Sequence, residues 1–348
     1  MNNEWKSFLT DRGAAFDADG SAAFANASAE VGAAARANVV CALTHLSILH
    51  AHGPDALAFL NGQFTNDLRQ VDDSHSQLSA YCTPKGRMLA IFRIYKRGEG
   101  YDLILPSTLA GNTLKRLRMF IMRSKVAIEH VDEQRVAVGY SGPGITQLLS
   151  PLLGDIPGAA DQCTEHDDHN LLRLPGPHPR YLLVAPPAKQ QELWRKLTPT
   201  VISTGRAAWS WFDIIAGLPS IWPATVEEFV PQSTNLELVG GVSFKKGCYP
   251  GQEIVARMHY LGKPKQRMYR LHLPQGHSVS RGDKIYGTDL RDQAAGMVVD
   301  AQPAPQGGTD MLAVVQLSSV ASGPIGIGAP DGPRLTVDSL PYELSPGD

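Results

Sequence analysis

Several familiar signatures are missing from these 348 residues, and each absence removes a class of function. There are only four cysteines, Cys41, Cys82, Cys163 and Cys248, with no Cys-x-x-Cys pair and no tight Cys/His cluster. Such spacing suits neither a zinc site, nor a protein-held iron–sulfur cluster, nor a disulfide-dense secreted scaffold. No apolar run reaches membrane-spanning length, and the N-terminus carries neither a secretory h-region nor an Arg-rich transit pattern. A reducing cytoplasm and no membrane partner are therefore expected. Charge of one sign is also lacking: the formal net charge is −2, so the chain as a whole is no nucleic-acid-binding polycation. Any anion site must be local, and DNA is not an expected partner. No Gly-x-Gly-x-x-Gly follows a strand, and there is no P-loop, Gly-x-Ser-x-Gly elbow or His-Glu-x-x-His. Dinucleotide oxidoreduction, P-loop phosphoryl transfer and α/β-hydrolase chemistry lose their usual anchors.

What is present suits a folded protein: 43% apolar and 19% charged residues, over a length sufficient for two or three cores. The densest chemistry lies in residues 240–257, Gly-Gly-Val-Ser-Phe-Lys-Lys-Gly-Cys-Tyr-Pro-Gly-Gln-Glu-Ile-Val-Ala-Arg. Cys248 follows Lys245, Lys246 and Gly247, and precedes Tyr249, Gly251, Gln252 and Glu253. Neighbouring ammonium charge favours thiolate over thiol, which is how cysteines are activated. Glycines let a backbone turn sharply or approach a ligand closely. Glu253 could hold Lys246 or exchange protons with a substrate. On local chemistry alone a buried structural cysteine in a Gly-rich turn is the commoner alternative.

Along the chain, residues 11–38 are small and polar and read as a weakly structured arm or a short surface helix. Leu46–His52 alternates like a half-buried strand, and Gly53-Pro54-Asp55 opens a helix whose Leu57, Phe59 and Leu60 face a core. Residues 77–105 form an antiparallel meander with turns at Thr83–Gly86 and Arg97–Gly100. Ser107 is placed to cap a helix carrying Leu114, Leu117 and Ile121. Residues 154–170 read as loop, and Gly205–Ala216 as a helix with Trp209, Trp211 and Phe212. Beyond Lys265, short β-runs at Met268–Leu273, Gly296–Val299 and Met311–Leu317 suggest a small barrel. The class is α+β.

Two stretches contain no carboxylate: Leu103–Ile128, with five cations, and Ile254–Gly282, with Arg257, Lys263, Lys265, Arg267, Arg270 and Arg281. Either is a solvated face or a local anion site. His166-Asp167-Asp168-His169 looks metal-like, but no further ligand is near, and a solvated loop is expected; no metal is assigned.

Taken together, Gly62–Asp67, Lys85–Met88, Arg123–Val126, Phe229–Gln232 with Asn235-Leu236, Gly240–Arg257 and Leu340–Tyr342 resemble the YgfZ family. Its members are folate-binding, tRNA-modifying proteins linked to iron–sulfur cluster maintenance, within the aminomethyltransferase (glycine-cleavage T-protein) superfamily. The run Lys246-Gly247-Cys248-Tyr249-x-Gly251-Gln252-Glu253 is the family's signature and makes Cys248 a functional thiol, with Lys246 tuning it. The resemblance implies a three-domain ring of the aminomethyltransferase fold, of mixed α/β domains with antiparallel sheets and a C-terminal β-barrel, around a cavity holding a tetrahydrofolate. Its segments would be an arm (1–40), a discontinuous first domain (41–76 and 126–235), a second domain (77–125), a signature linker (236–264) and the barrel (265–348).

The implied folate contacts are Trp209, Asp213, Asn66 and Arg257. The family's second tryptophan falls on Leu46. A Glu often found before Ala-Gly is Ile215 here, leaving Asp213 as the nearest acid. Transferase relatives carry a catalytic Asp after the first meander turn, where this chain reads Met88-Leu89-Ala90-Ile91, so aminomethyl transfer is not expected. The implied role is a folate-dependent accessory protein for iron–sulfur client enzymes, with an indirect link to tRNA. A tetrahydrofolate-dependent aminomethyltransferase or demethylase is the alternative, and an RNA-binding module acting through Lys263–Arg270 is a third reading.

Overall fold

Residues 2–166, 168–262 and 264–344 are described by a computed structural model. They fall into two compact units, Met1–Asn61 with Asp67–Gln77 and Phe92–Trp209, and Gly62–Asn66 with Leu78–Ile91 and Ser210–Asp348.

The first unit is built on two sheets. One orders its strands Cys163–His166, His169–Leu174, Arg180–Ala185, Val136–Ser141, Val39–Ala42 and Ile202–Thr204, antiparallel except for the last pair. Its strands are apolar on both sides because helices cover them. Trp5, Phe8 and Leu9 of the helix Asn3–Thr10 join Tyr140, Leu183 and Trp194 in one buried cluster. Trp5 meets Trp194 edge to face at 5.8 Å, the arrangement preferred by ring quadrupoles. The other sheet runs from the C-terminal half of Met88–Arg97 through Gly100–Pro106 and Leu46–His52 to Ala127–His130.

Several local expectations change. The N-terminal segment is no loose arm: Ala15–Phe16 pairs with Ala22–Ala23, and the helix Ala27–Ala34 is capped by the Asn26 side chain. Ser107 is the first helical residue rather than the cap, and Leu57 is exposed while Phe59 and Leu60 are buried. The stretch read as loop contains the strand Cys163–His166, hairpinned to His169–Leu174.

In the second unit, Gln77–Cys82 and the start of Met88–Arg97 are joined by the Thr83–Gly86 turn, with Gly86 in the left-handed region. The closed six-stranded barrel orders Gln266–Leu273, Thr309–Gln316, Ala294–Pro303, Lys284–Gly287, Ile325–Ile327 and Arg334–Asp338. Closure leaves no free edge. Leu271, Ile285, Val298, Met311, Val315 and Ile325 fill its interior. All three β-runs expected from the sequence lie within longer strands, and three further strands complete the ring.

One buried carboxylate ties a helix to this barrel. Asp310 accepts the Trp211 Nε1–H at 2.9 Å and faces His272 Nδ1 at 2.9 Å. Asp310→Ala should leave two polar groups without their acceptor and cost about 2–4 kcal/mol. Urea unfolding followed by tryptophan fluorescence reads this, and a loss below about 0.5 kcal/mol, typical of neutral surface changes, would refute the tie.

Candidate functional site

The signature loop is fastened to a five-residue segment some 180 positions earlier in the chain. Asn66 Nδ2 donates to the Gly240 carbonyl at 2.6 Å and to the Leu78 carbonyl at 3.0 Å. Thr65 Oγ1 donates to the Gly241 carbonyl at 2.7 Å, and the Ser243 N–H donates to the Thr65 carbonyl at 3.0 Å. Lys246 Nζ donates to the Phe64 carbonyl at 2.5 Å and lies 5.0 Å from the centre of the Tyr249 ring. A carbonyl dipole and an aromatic face offset part of the cost of burying this ammonium.

Gly251, at φ +83°, starts the helix Gln252–Leu261. A Cβ there would sit 2.5 Å from the Thr83 carbonyl oxygen and 2.7 Å from Gly86 Cα, so only glycine lets the loop rest on the meander turn. Gln232 Nε2 donates to the Val255 carbonyl at 2.6 Å and holds the same helix from the other side. Gln252 and Glu253 occupy the first turn of that helix, where Glu253 is exposed. The motif segments Phe64–Asn66, Lys85–Met88, Phe229–Gln232 and Gly240–Arg257 are thus brought together. The last motif belongs here too: Tyr342 donates its hydroxyl to the Gly217 carbonyl at 2.8 Å, and the bare α-carbon of Gly217 makes room for its ring.

This frame holds Cys248 and Gly247 exposed, with Lys246 and Tyr249 buried on either side. The other three cysteines are buried, and desolvation pushes the thiols of Cys41, Cys82 and Cys163 up to about 12. A thiol at that value is inert near neutrality, because the thiolate is the nucleophile. Folded protein should therefore release one equivalent of thionitrobenzoate from Ellman's reagent, and Cys248→Ser none. A fast second equivalent in the wild type would show that burial does not protect the others.

Trp209 belongs to the first unit. It is 3% exposed, and the Arg180 guanidinium lies 3.8 Å from its ring centre. Gly139 supports the indole from the neighbouring strand; any Cβ there would come within 2.3 Å of the ring. The sequence reading missed Arg180, although a lone Arg opening the apolar strand Arg180–Ala185 was a usable signal. Asp213, half-buried, stands one helical turn beyond Trp209 on the helix Arg206–Ile215. Leu46, at the expected second tryptophan, lines a small cavity of about 160 Å³ in the first unit. Arg257 is exposed and lines a cleft with Arg87 and Lys265. Asn66 is a latch residue in this frame.

No group of His, Cys, Asp and Glu that could hold a metal ion occurs among the described residues. His169 Nδ1 contacts Asp168 at 2.6 Å and its ring stacks on His166; Asp167 lies outside the described residues. No helix among the described residues is long and apolar enough to cross a membrane.

Comparison with known proteins gives a consistent result. The family model of the GCVT N-terminal domain matches residues 6–166. The tRNA-modifying protein YgfZ of Pectobacterium atrosepticum is 33% identical over 296 residues, 84% of this chain and 88% of that protein. This chain belongs to the YgfZ family. The YgfZ protein of Photorhabdus laumondii is 32% identical over 300 residues, 86% of this chain and 90% of that one. Glycine cleavage system aminomethyltransferase T from Bartonella henselae superposes with a TM-score of 0.82, over 98% of this chain and 97% of its own, at 17% identity. At that identity the likeness is one of fold: mixed α/β with antiparallel sheets and a closed C-terminal barrel.

Proposed function

We propose that this YgfZ-family protein is a folate-binding accessory factor that supports iron–sulfur cluster assembly or repair and tRNA modification, with Cys248 as its working thiol. The observation that carries the reading is the contrast among the cysteines. Three are buried and held protonated, while Cys248 stands exposed on a loop whose every flank is fixed. A structural cysteine has no need of such a frame. A thiol that must meet a partner's thiol, a persulfide or a transient cluster does. Lys246 serves it by shaping the loop, since its amine is committed to the Phe64 carbonyl and the Tyr249 ring. Cys248→Ser should therefore lower the activity of iron–sulfur client enzymes and the level of tRNA thiolation in cells, while leaving the unfolding midpoint within about 0.5 kcal/mol of wild type. Unchanged client activity would sink the thiol role.

The folate reading rests on a donor set. A pterin needs a flat surface to stack on, a carboxylate for its ring nitrogens and cations for its carboxylate tail. Trp209, Asp213 and Arg180 are of those three kinds. Bound folate would supply a reduced one-carbon carrier. Because Arg180 already lies over the indole, stacking there requires the guanidinium to exchange the Trp209 ring for the ligand. Titration with tetrahydrofolate should change tryptophan fluorescence in the wild type. Trp209→Phe should lose most of that change, and Asp213→Asn should weaken binding about tenfold, the scale of one charge-assisted hydrogen bond. A wild-type fluorescence response retained in Trp209→Phe would place the ligand elsewhere.

True aminomethyl transfer finds no support at the strand after the meander turn. There Met88, Ala90 and Ile91 are buried, with no carboxylate among them.

A further inference from the structure

The cleft around Arg257 is unused by the reading above and does not depend on it. It lies wholly within the second unit, has a volume of about 730 Å³, and is floored by Val230, Ile254, Met258, Leu261 and Pro264. Its charged residues are Arg87, Arg257 and Lys265; no carboxylate lines it. The sequence offered six cations between Ile254 and Gly282, and the structure separates them. Arg267 is paired with Glu237, Arg270 with Asp338 and Arg281 with Asp300. Arg257 and Lys265 make no ion pair with a described residue, and Arg87 donates to the Glu228 main-chain carbonyl. Lys263 lies outside the described residues. The neutralised arginines are structural, and the cations that remain share one concave surface.

We propose that this cleft binds a single-stranded segment of RNA. Phosphates would lie along Arg87, Arg257 and Lys265, and bases would stack over the Met258 and Leu261 side of the helix. Leu261 is 85% exposed and Ile254 39%, an apolar surface that a bare inorganic anion would leave uncovered. A flat base covers such a surface and every base has a π-face, so this mode tolerates sequence. The volume falls in the range of pockets that enclose drug-sized ligands, large enough for a nucleotide or two. An acidic peptide would satisfy the cations but gains little from the apolar floor.

Three phosphate contacts on a single strand predict a slope of roughly −2 in log affinity against log salt, or about 16-fold weaker binding from 50 to 200 mM. Fluorescence anisotropy with a labelled single-stranded RNA of about 12 nucleotides and full-length protein measures it. The double variant R257Q/K265Q should flatten the slope toward about −0.7 and weaken binding about tenfold or more at low salt. Leu261→Ala should weaken binding without changing the slope, which a purely electrostatic surface would not show. Neither Arg257 nor Lys265 makes an ion pair, so unfolding curves of the double variant should overlay the wild type. Wild-type affinity and slope in R257Q/K265Q would overturn the proposal. So would displacement of the RNA by a poly-γ-glutamate peptide as readily as by unlabelled RNA, since that outcome assigns the cleft to acidic peptides.

Discussion

The second unit depends on a latch between Phe64–Asn66 and Gly240–Lys246. Four hydrogen bonds cross a sequence separation of more than 170 residues, two of them to main-chain carbonyls that would otherwise be buried without partners. Closing so long a loop costs only slightly more than closing one half its length, because the entropy grows with the logarithm of length. The contacts therefore need not be strong individually, but they must be mutually compatible. Lys246 is the sharpest constraint. An ammonium buried to this degree is tolerated only while its carbonyl acceptor stays in place, so the position of Phe64 and the path of the loop fix each other.

From that latch the exposure of Cys248 follows. Lys246 and Tyr249 turn inward, Gly251 is pressed onto the Thr83–Gly86 turn, and the two residues between the inward pair have nowhere to go but outward. A thiol displayed this way costs little ordering on meeting a partner, because the backbone around it is already immobilised. The same loop then passes directly into the helix Gln252–Leu261, so anything that bends the helix start disturbs the thiol.

Much of this was legible in the amino-acid order, and what was missed has a physical cause. The meander turns, the helix with Trp209 and three of the six barrel strands declared themselves through period and turn chemistry. The helix Gln252–Leu261 did not, because its apolar face is partial: Val255 is buried, while Ile254, Tyr260 and Leu261 are exposed. The strands Ile325–Ile327 and Arg334–Asp338 are too short and too Gly-rich in their surroundings to show a period of two. The N-terminal residues looked loose because small side chains carry little hydrophobic signal, yet Trp5, Phe8 and Leu9 anchor them in a core. The motif glycines were visible as glycines, but their reasons were remote. Gly251 is needed by Thr83 and Gly217 by Tyr342, and no local window contains both members of either pair.

Partnership sorts residues that composition treats alike. Four cysteines become three desolvated thiols and one accessible sulfur. A run of cations without carboxylates divides into arginines neutralised from elsewhere in the chain and others left facing solvent. Glu237, Asp300 and Asp338 lie outside that run or beyond its end, which is why counting charge along a segment overstates the field it produces. Once those pairs are subtracted, the surviving positive charge is concentrated at one concave place instead of smeared along a face. Concentration matters more than total charge, because screening removes the influence of exposed charges beyond about 8–10 Å at physiological salt. A protein of nearly neutral total charge can in this way carry a strongly anion-seeking surface, set in the same unit that displays its one accessible thiol.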